Sequence, residues 1–175
     1  HRRFTLLWIG LIISMIGSQM QQWVLFWHIS QLSRAPIAVS IVGGVRFVAV
    51  LAFSLIGGLV ADRYNRRGIL FLTQSISLLV ALALGLLTLI HQIQLWHIYL
   101  LTAIQASAMA FDLPARQSLV PNLVPREDLP SAFSLQSIAF NTGAIAGPAL
   151  SGIVIGYWGQ AFAYLFNAAS FMAVI

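Results

Sequence analysis

The chain alternates long apolar runs with short polar breaks. Six runs approach or reach the roughly 20 residues that a helix needs to cross a bilayer. They cover about residues 4–27, 37–61, 68–90, 95–113, 131–158 and 160–175. No turn residues recur at ten-residue intervals inside them, so the pattern predicts helices rather than the strands of a barrel. The breaks hold arginine unevenly. Arg2 and Arg3 precede the first run, Arg63, Arg66 and Arg67 follow the second, and Arg116 and Arg126 follow the fourth, whereas the opposite breaks hold only Arg34. Basic residues concentrate in cytoplasmic loops, which places the N-terminus and the 2–3 and 4–5 loops inside the cell. Trp27, Trp96, Tyr99, Tyr157 and Trp158 then mark the outer interface. The expected fold is an all-α bundle of six transmembrane helices in the inner (plasma) membrane, forming one domain over 1–175 with no internal repeat evident in its residues.

Composition supports lipid as the solvent. The chain is 59% hydrophobic and 7% charged with a mean hydropathy of +0.90, against roughly 25% charged residues in an ordinary soluble domain. The net charge of +5 does not indicate nucleic acid, because the arginines sit at the ends of apolar runs and form no patch interleaved with aromatics. Absence of cysteine removes disulfides and thiolate metal sites. The first run is too long and too polar for a signal peptide. The chain starts at His1 and stops at Ile175 within an apolar run, so it reads as a fragment of a larger membrane protein.

Four of the six prolines fall between Pro114 and Pro130. That density predicts that the fourth helix stops at Leu113, with Gln117 to Val124 lying on the inner membrane surface.

Polar residues inside the spans point to a shared wet cavity. The first span carries Ser14, Ser18, Gln21 and Gln22, the fourth Thr102, Gln105 and Asp112, and the fifth Ser134, Ser137 and Asn141, each group at helical spacing. Ordinary hydrogen bonding between helices is the competing account. Gln21, Gln22, Arg46, Gln105 and Asn141 are the candidate cavity residues. Arg46 lies sixteen positions before Asp62, about 24 Å along a helix, too far to pair with it. It is suited to attract an anionic substrate, or to pair with a carboxylate elsewhere or with helix-end carbonyls. His28, His91 and His97 fall near the outer loops and read as interfacial side chains; no metal-ligand spacing and no cofactor motif is present. An intramembrane serine protease is disfavoured, since the chain has no Gly-x-Ser and no mid-membrane histidine.

Two motifs carry a family resemblance. Gly58-x-Val60-Ala61-Asp62-Arg63-x-Asn65-Arg66-Arg67 resembles motif A of the major facilitator superfamily, with Val60 for Leu and Asn65 for Gly. The Asn65 change is mild, because Asn tolerates the left-handed backbone that Gly supplies. Gly143-x-x-x-Gly147-Pro148-x-x-Ser151-Gly152 resembles motif C of helix five, and the run from Phe111 to Pro121 is similar to the enterobactin exporter and macrolide efflux branch. The resemblance covers the whole chain. It implies the N-terminal bundle of a twelve-helix transporter, facing a C-terminal six-helix bundle and working by alternating access. It implies proton-coupled efflux of a small drug-like or siderophore-like compound, not an enzyme. An importer and a non-transporting scaffold or sensor are the alternatives. It further implies that Gly58, Asp62, Arg63, Arg66 and Arg67 form a conformational latch, that Arg66 relays to Asp112, and that Gly143, Gly147, Pro148 and Gly152 set a bend in helix five.

Overall fold

The computed structural model describes residues 2–122 and 124–172; the side chains of residues 2–4, 6, 7, 61 and 62 lie outside the description. Six helices follow one another: α1 (Arg2–Leu32), α2 (Ile37–Arg63), α3 (Arg66–Leu89), α4 (Leu95–Leu119), α5 (Leu129–Tyr157) and α6 (Gln160–Met172). The described residues contain no strand. α1 to α5 have the length and apolarity to cross a membrane, and 13 residues of α6 are described. Helices satisfy every backbone group internally, which hydrocarbon demands. Their outward side chains are strongly apolar: Phe47 is 67% exposed, Leu55 80% and Ile145 78%. Such a surface would drive aggregation in water and is what lipid or another helix bundle covers.

Packing does not follow chain order. α1 lies against α5 and α6, α4 against α2 and α3, and α3 against α6, while α1 and α2, and α2 and α3, scarcely touch. Exchanging α1 with α4, α2 with α5 and α3 with α6 leaves this pattern unchanged. The helix contacts are therefore those of two three-helix units, α1–α3 and α4–α6, with matching neighbours. The sequence shows no such repeat. The repeat is one of topology, and interchangeable apolar residues leave no trace of it in the sequence.

Small residues close the two longest seams. A Cβ on Gly143 would lie 3.1 Å from the Met15 carbonyl oxygen, and one on Gly147 would lie 2.9 Å from Gln19 backbone carbon. These two glycines bring α5 onto α1 at backbone distance. In the equivalent seam, Gly57 of α2 faces the carbonyl of Ala110 on α4.

Pro114 does not end the fourth helix, which continues to Leu119. Proline lacks the N–H that would bond to the carbonyl four residues back, that of Ala110. That carbonyl faces Gly57 instead, a close Cα approach of the kind that recurs at helix interfaces. A neighbouring helix thus accommodates the break, as is common within membranes. Nor does the following segment spread along the surface. Val120 and Val124 are buried with Ala132, packed by Trp8, Leu129 and Leu135, and Trp8 Nε1 donates to the Leu135 carbonyl at 2.8 Å. Burying these apolar groups against α1 and α5 outweighs the weak amphipathic pattern.

Candidate functional site: a polar cavity and its charged floor

A cavity of about 720 Å³ opens between α1, α2 and α4, with Val80 and Leu84 of α3 and one residue each of α5 and α6 completing its lining. Gln21, Gln22, Arg46 and Gln105 all line it. Asn141 does not: it is exposed on α5, and the cavity wall there is its neighbour Phe140. Phe140 shares the helix face of Gly147, which is turned toward α1, whereas Asn141 falls roughly a third of a turn off that face. Ser134 and Ser137 likewise point away and donate to their own helix, to the Pro130 and Phe133 carbonyls.

The cavity amides are oriented by partners behind them. Gln21 Oε1 accepts from Asn167 Nδ2 at 2.7 Å, and Asn167 Oδ1 accepts from Ser170 Oγ at 2.9 Å. Gly17 leaves room for this clamp, since a Cβ there would sit 2.6 Å from Ser170 Oγ. With its oxygen engaged, Gln21 has its amide donor left for the cavity. Gln105 is oriented the opposite way: its Nε2 donates to Ser77 Oγ at 2.9 Å, and its Oε1 is buried without a partner, as is Thr102 Oγ1. Arg46 is half-buried in the wall and forms no ion pair or hydrogen bond with another described residue.

The floor is a buried ion pair. Asp112 Oδ2 accepts from Arg116 Nε at 3.1 Å and Nη2 at 2.9 Å. Its Oδ1 accepts from Thr73 Oγ1 and Gln74 Nε2, both at 2.8 Å. All four residues are buried, and the bonds tie α4 to α3. The expected relay from Arg66 to Asp112 is not formed. Arg66 begins α3, seven residues before Thr73 and so about 10 Å below it along the helix, beyond the reach of its side chain. Arg116, one turn from Asp112 on the same helix, supplies the guanidinium instead.

Gly58 and Arg63 lie in the last turns of α2 and Arg66 and Arg67 open α3, with Tyr64 and Asn65 between the helices. Gly58 has open space where a Cβ would stand, and Arg63 and Arg67 are exposed. Asp62 is the penultimate residue of α2, and its side chain lies outside the described residues. Asn65 is not left-handed: its φ is −63° with extended ψ, and its side chain accepts from the Arg67 N–H at 3.0 Å. It caps α3, a role for which Asn is favoured over Gly's freedom. Of the helix-five set, Gly143 and Gly147 form the α1 seam, Pro148 lies inside a continuous α5, and Gly152 meets nothing within 4 Å.

Sequence reasoning misplaced one buried polar residue and missed others. His28 is buried, its Nδ1 3.1 Å from the Tyr164 hydroxyl, rather than interfacial. Asn167, Thr73 and Gln74 were also missed. For Arg116 a signal existed: an acid four residues before a base on a helix is an ion-pair spacing. Among the described residues no group of three or more His, Cys, Asp or Glu could hold a metal ion.

Comparison with known proteins gives a consistent result. A family model described as a transmembrane secretion effector matches residues 1–175. The chain is 29% identical over 141 residues to the uncharacterized MFS-type transporter YfiS of Bacillus subtilis, covering 81% of this chain and 33% of that protein. It is 25% identical over 163 residues to macrolide efflux protein A of Streptococcus pyogenes, covering 89% and 38% respectively. It is 29% identical over 133 residues to the enterobactin exporter EntS of Shigella boydii, covering 76% and 31%. The chain thus spans about a third of the length of these relatives.

Proposed function

The chain belongs to the transmembrane secretion effector family of major facilitator transporters, and on that premise we propose that it forms the N-terminal half of an exporter of small organic compounds. Its family and relatives are transporters, not enzymes. The observation that carries the proposal is the cavity of about 720 Å³ walled by Gln21, Gln22, Arg46 and Gln105 inside a bundle of membrane-length helices. That volume suits a drug-sized or siderophore-sized molecule. Relatives named for macrolide and enterobactin export support the outward direction.

In this reading a C-terminal six-helix bundle closes the open side of the cavity. The two bundles rock so that it faces each side of the plasma membrane in turn. The Arg-bearing turns lie on the cytoplasmic face. The α2–α3 junction, with Gly58, Asp62, Arg63, Arg66 and Arg67, latches the second bundle, the Asp62 carboxylate being suited to a helix N-terminus. Asp112 and Arg116 anchor the floor from which that latch works, and protons drive the exchange.

Purified full-length protein in proteoliposomes tests this. Inside-out vesicles with an acid lumen should accumulate a labelled catecholate siderophore, with lumenal protons released in step. Accumulation only under the reversed gradient would favour import. No flux under either gradient, with correctly folded protein, would leave the scaffold reading.

A further inference from the structure

The charge inventory of the cavity points to a class of cargo. Three titratable side chains line it among the described residues: Arg46, Asp112 and Arg116. Asp112 and Arg116 neutralise each other across two hydrogen bonds, and Thr73 and Gln74 occupy the remaining carboxylate oxygen. Arg46 has no partner among the described residues. It cannot lose its charge by deprotonation in the way a buried lysine can. Among the described residues the wall therefore holds one uncompensated positive charge, and Gln21, whose oxygen is already bonded to Asn167, adds a donor rather than an acceptor.

We infer that the cavity selects organic anions, with Arg46 binding the acidic group, and disfavours organic cations. The inference rests on the transport reading above and names its cargo. A guanidinium presents a planar fork of donors suited to a carboxylate or phenolate. An organic cation would meet like charge in a wall where Asp112 is already engaged and has no free lone pair directed at it.

The chain contains no cysteine, so an introduced thiol reads the cavity charge directly. Val50 lines the cavity one turn from Arg46 and is 42% exposed, which puts its β-carbon about 6 Å from that of Arg46. Met109 lines the cavity on α4 beside Ala110, which faces Gly57, eleven residues and so about 16 Å along α2 from Arg46. Val50→Cys and Met109→Cys are introduced separately into the full-length protein, with any thiol elsewhere removed. Each is reacted with an anionic sulfonate and a cationic trimethylammonium methanethiosulfonate, normalised to a free thiol. With reagent charge and guanidinium about 6–8 Å apart in a watery cavity, a single charge should favour the anion roughly five- to tenfold at Val50→Cys, and less at Met109→Cys. Arg46→Gln should bring the ratio toward one, and Arg46→Lys should retain it. A ratio near one in the parent, a preference for the cation, no change on Arg46→Gln, or no reaction with either reagent would overturn the inference. Access from both membrane faces is scored in the same experiment. Two-sided access without anion preference would sink the cargo assignment alone, and one-sided access would sink the transport reading itself.

Discussion

Replacing Asp112 by Asn divides its two sets of bonds. Oδ1 bonds Thr73 and Gln74, and Oδ2 bonds Arg116. Asparagine keeps an oxygen for α3 and turns an NH₂ toward a guanidinium that is itself only donors. The Arg116 side chain is 6% exposed, so its charge would be left buried and unpaired. Breaking a buried pair from one side costs about 3–5 kcal/mol. Arg116→Met should cost a similar amount by stranding the carboxylate. The double variant should lose far less than the sum, since Asn and Met leave no charge behind. The expected coupling is about 2 kcal/mol, within the range seen for residues in one network. The assay is reversible unfolding of full-length protein in mixed dodecyl maltoside and dodecyl sulfate micelles, followed by far-ultraviolet circular dichroism. A cycle additive to within ~0.5 kcal/mol would refute the claim that the pair acts as a unit.

Other substitutions separate neighbouring positions. Gly147→Ala should destabilise by about 1–3 kcal/mol through overpacking against Gln19, while Gly152→Ala, with open space around it, should be near neutral in the same unfolding assay. Gly57→Ala should be more damaging than Gly58→Ala, because the added methyl meets the Ala110 carbonyl in the first case and nothing in the second; equal effects would contradict the seam. Asn65→Ala should cost about 1 kcal/mol by removing the cap, seen as faster amide exchange at Arg67 and no change at the far end of α3.

The helices were legible because hydrocarbon imposes length and apolarity on each of them, and Gln21, Gln22, Arg46 and Gln105 were legible because polar groups in a span have few places to go. Asn141 has the same chemistry but lies off the face that the glycines of α5 turn inward, and only the seam reveals that. The stop placed at Leu113 overvalued proline: the test is whether a neighbour takes up the freed carbonyl, and Gly57 is 53 to 57 positions away in sequence from the residues that raise the question. The relay drawn from Arg66 followed family likeness where simple spacing already favoured Arg116. Asn65 was read through the glycine it replaces, although a residue of that type just before a helix is first a cap.

Pro114 stands between Asp112 and Arg116, so the side-chain pair straddles the point where the main-chain ladder of α4 lacks a rung. The residues beyond the proline are thereby splinted to those before it by an electrostatic strut. Severing that strut removes a brace from the helix at its weakest joint, so the stiffness of the C-terminal end of α4 is set by side chains as much as by its backbone.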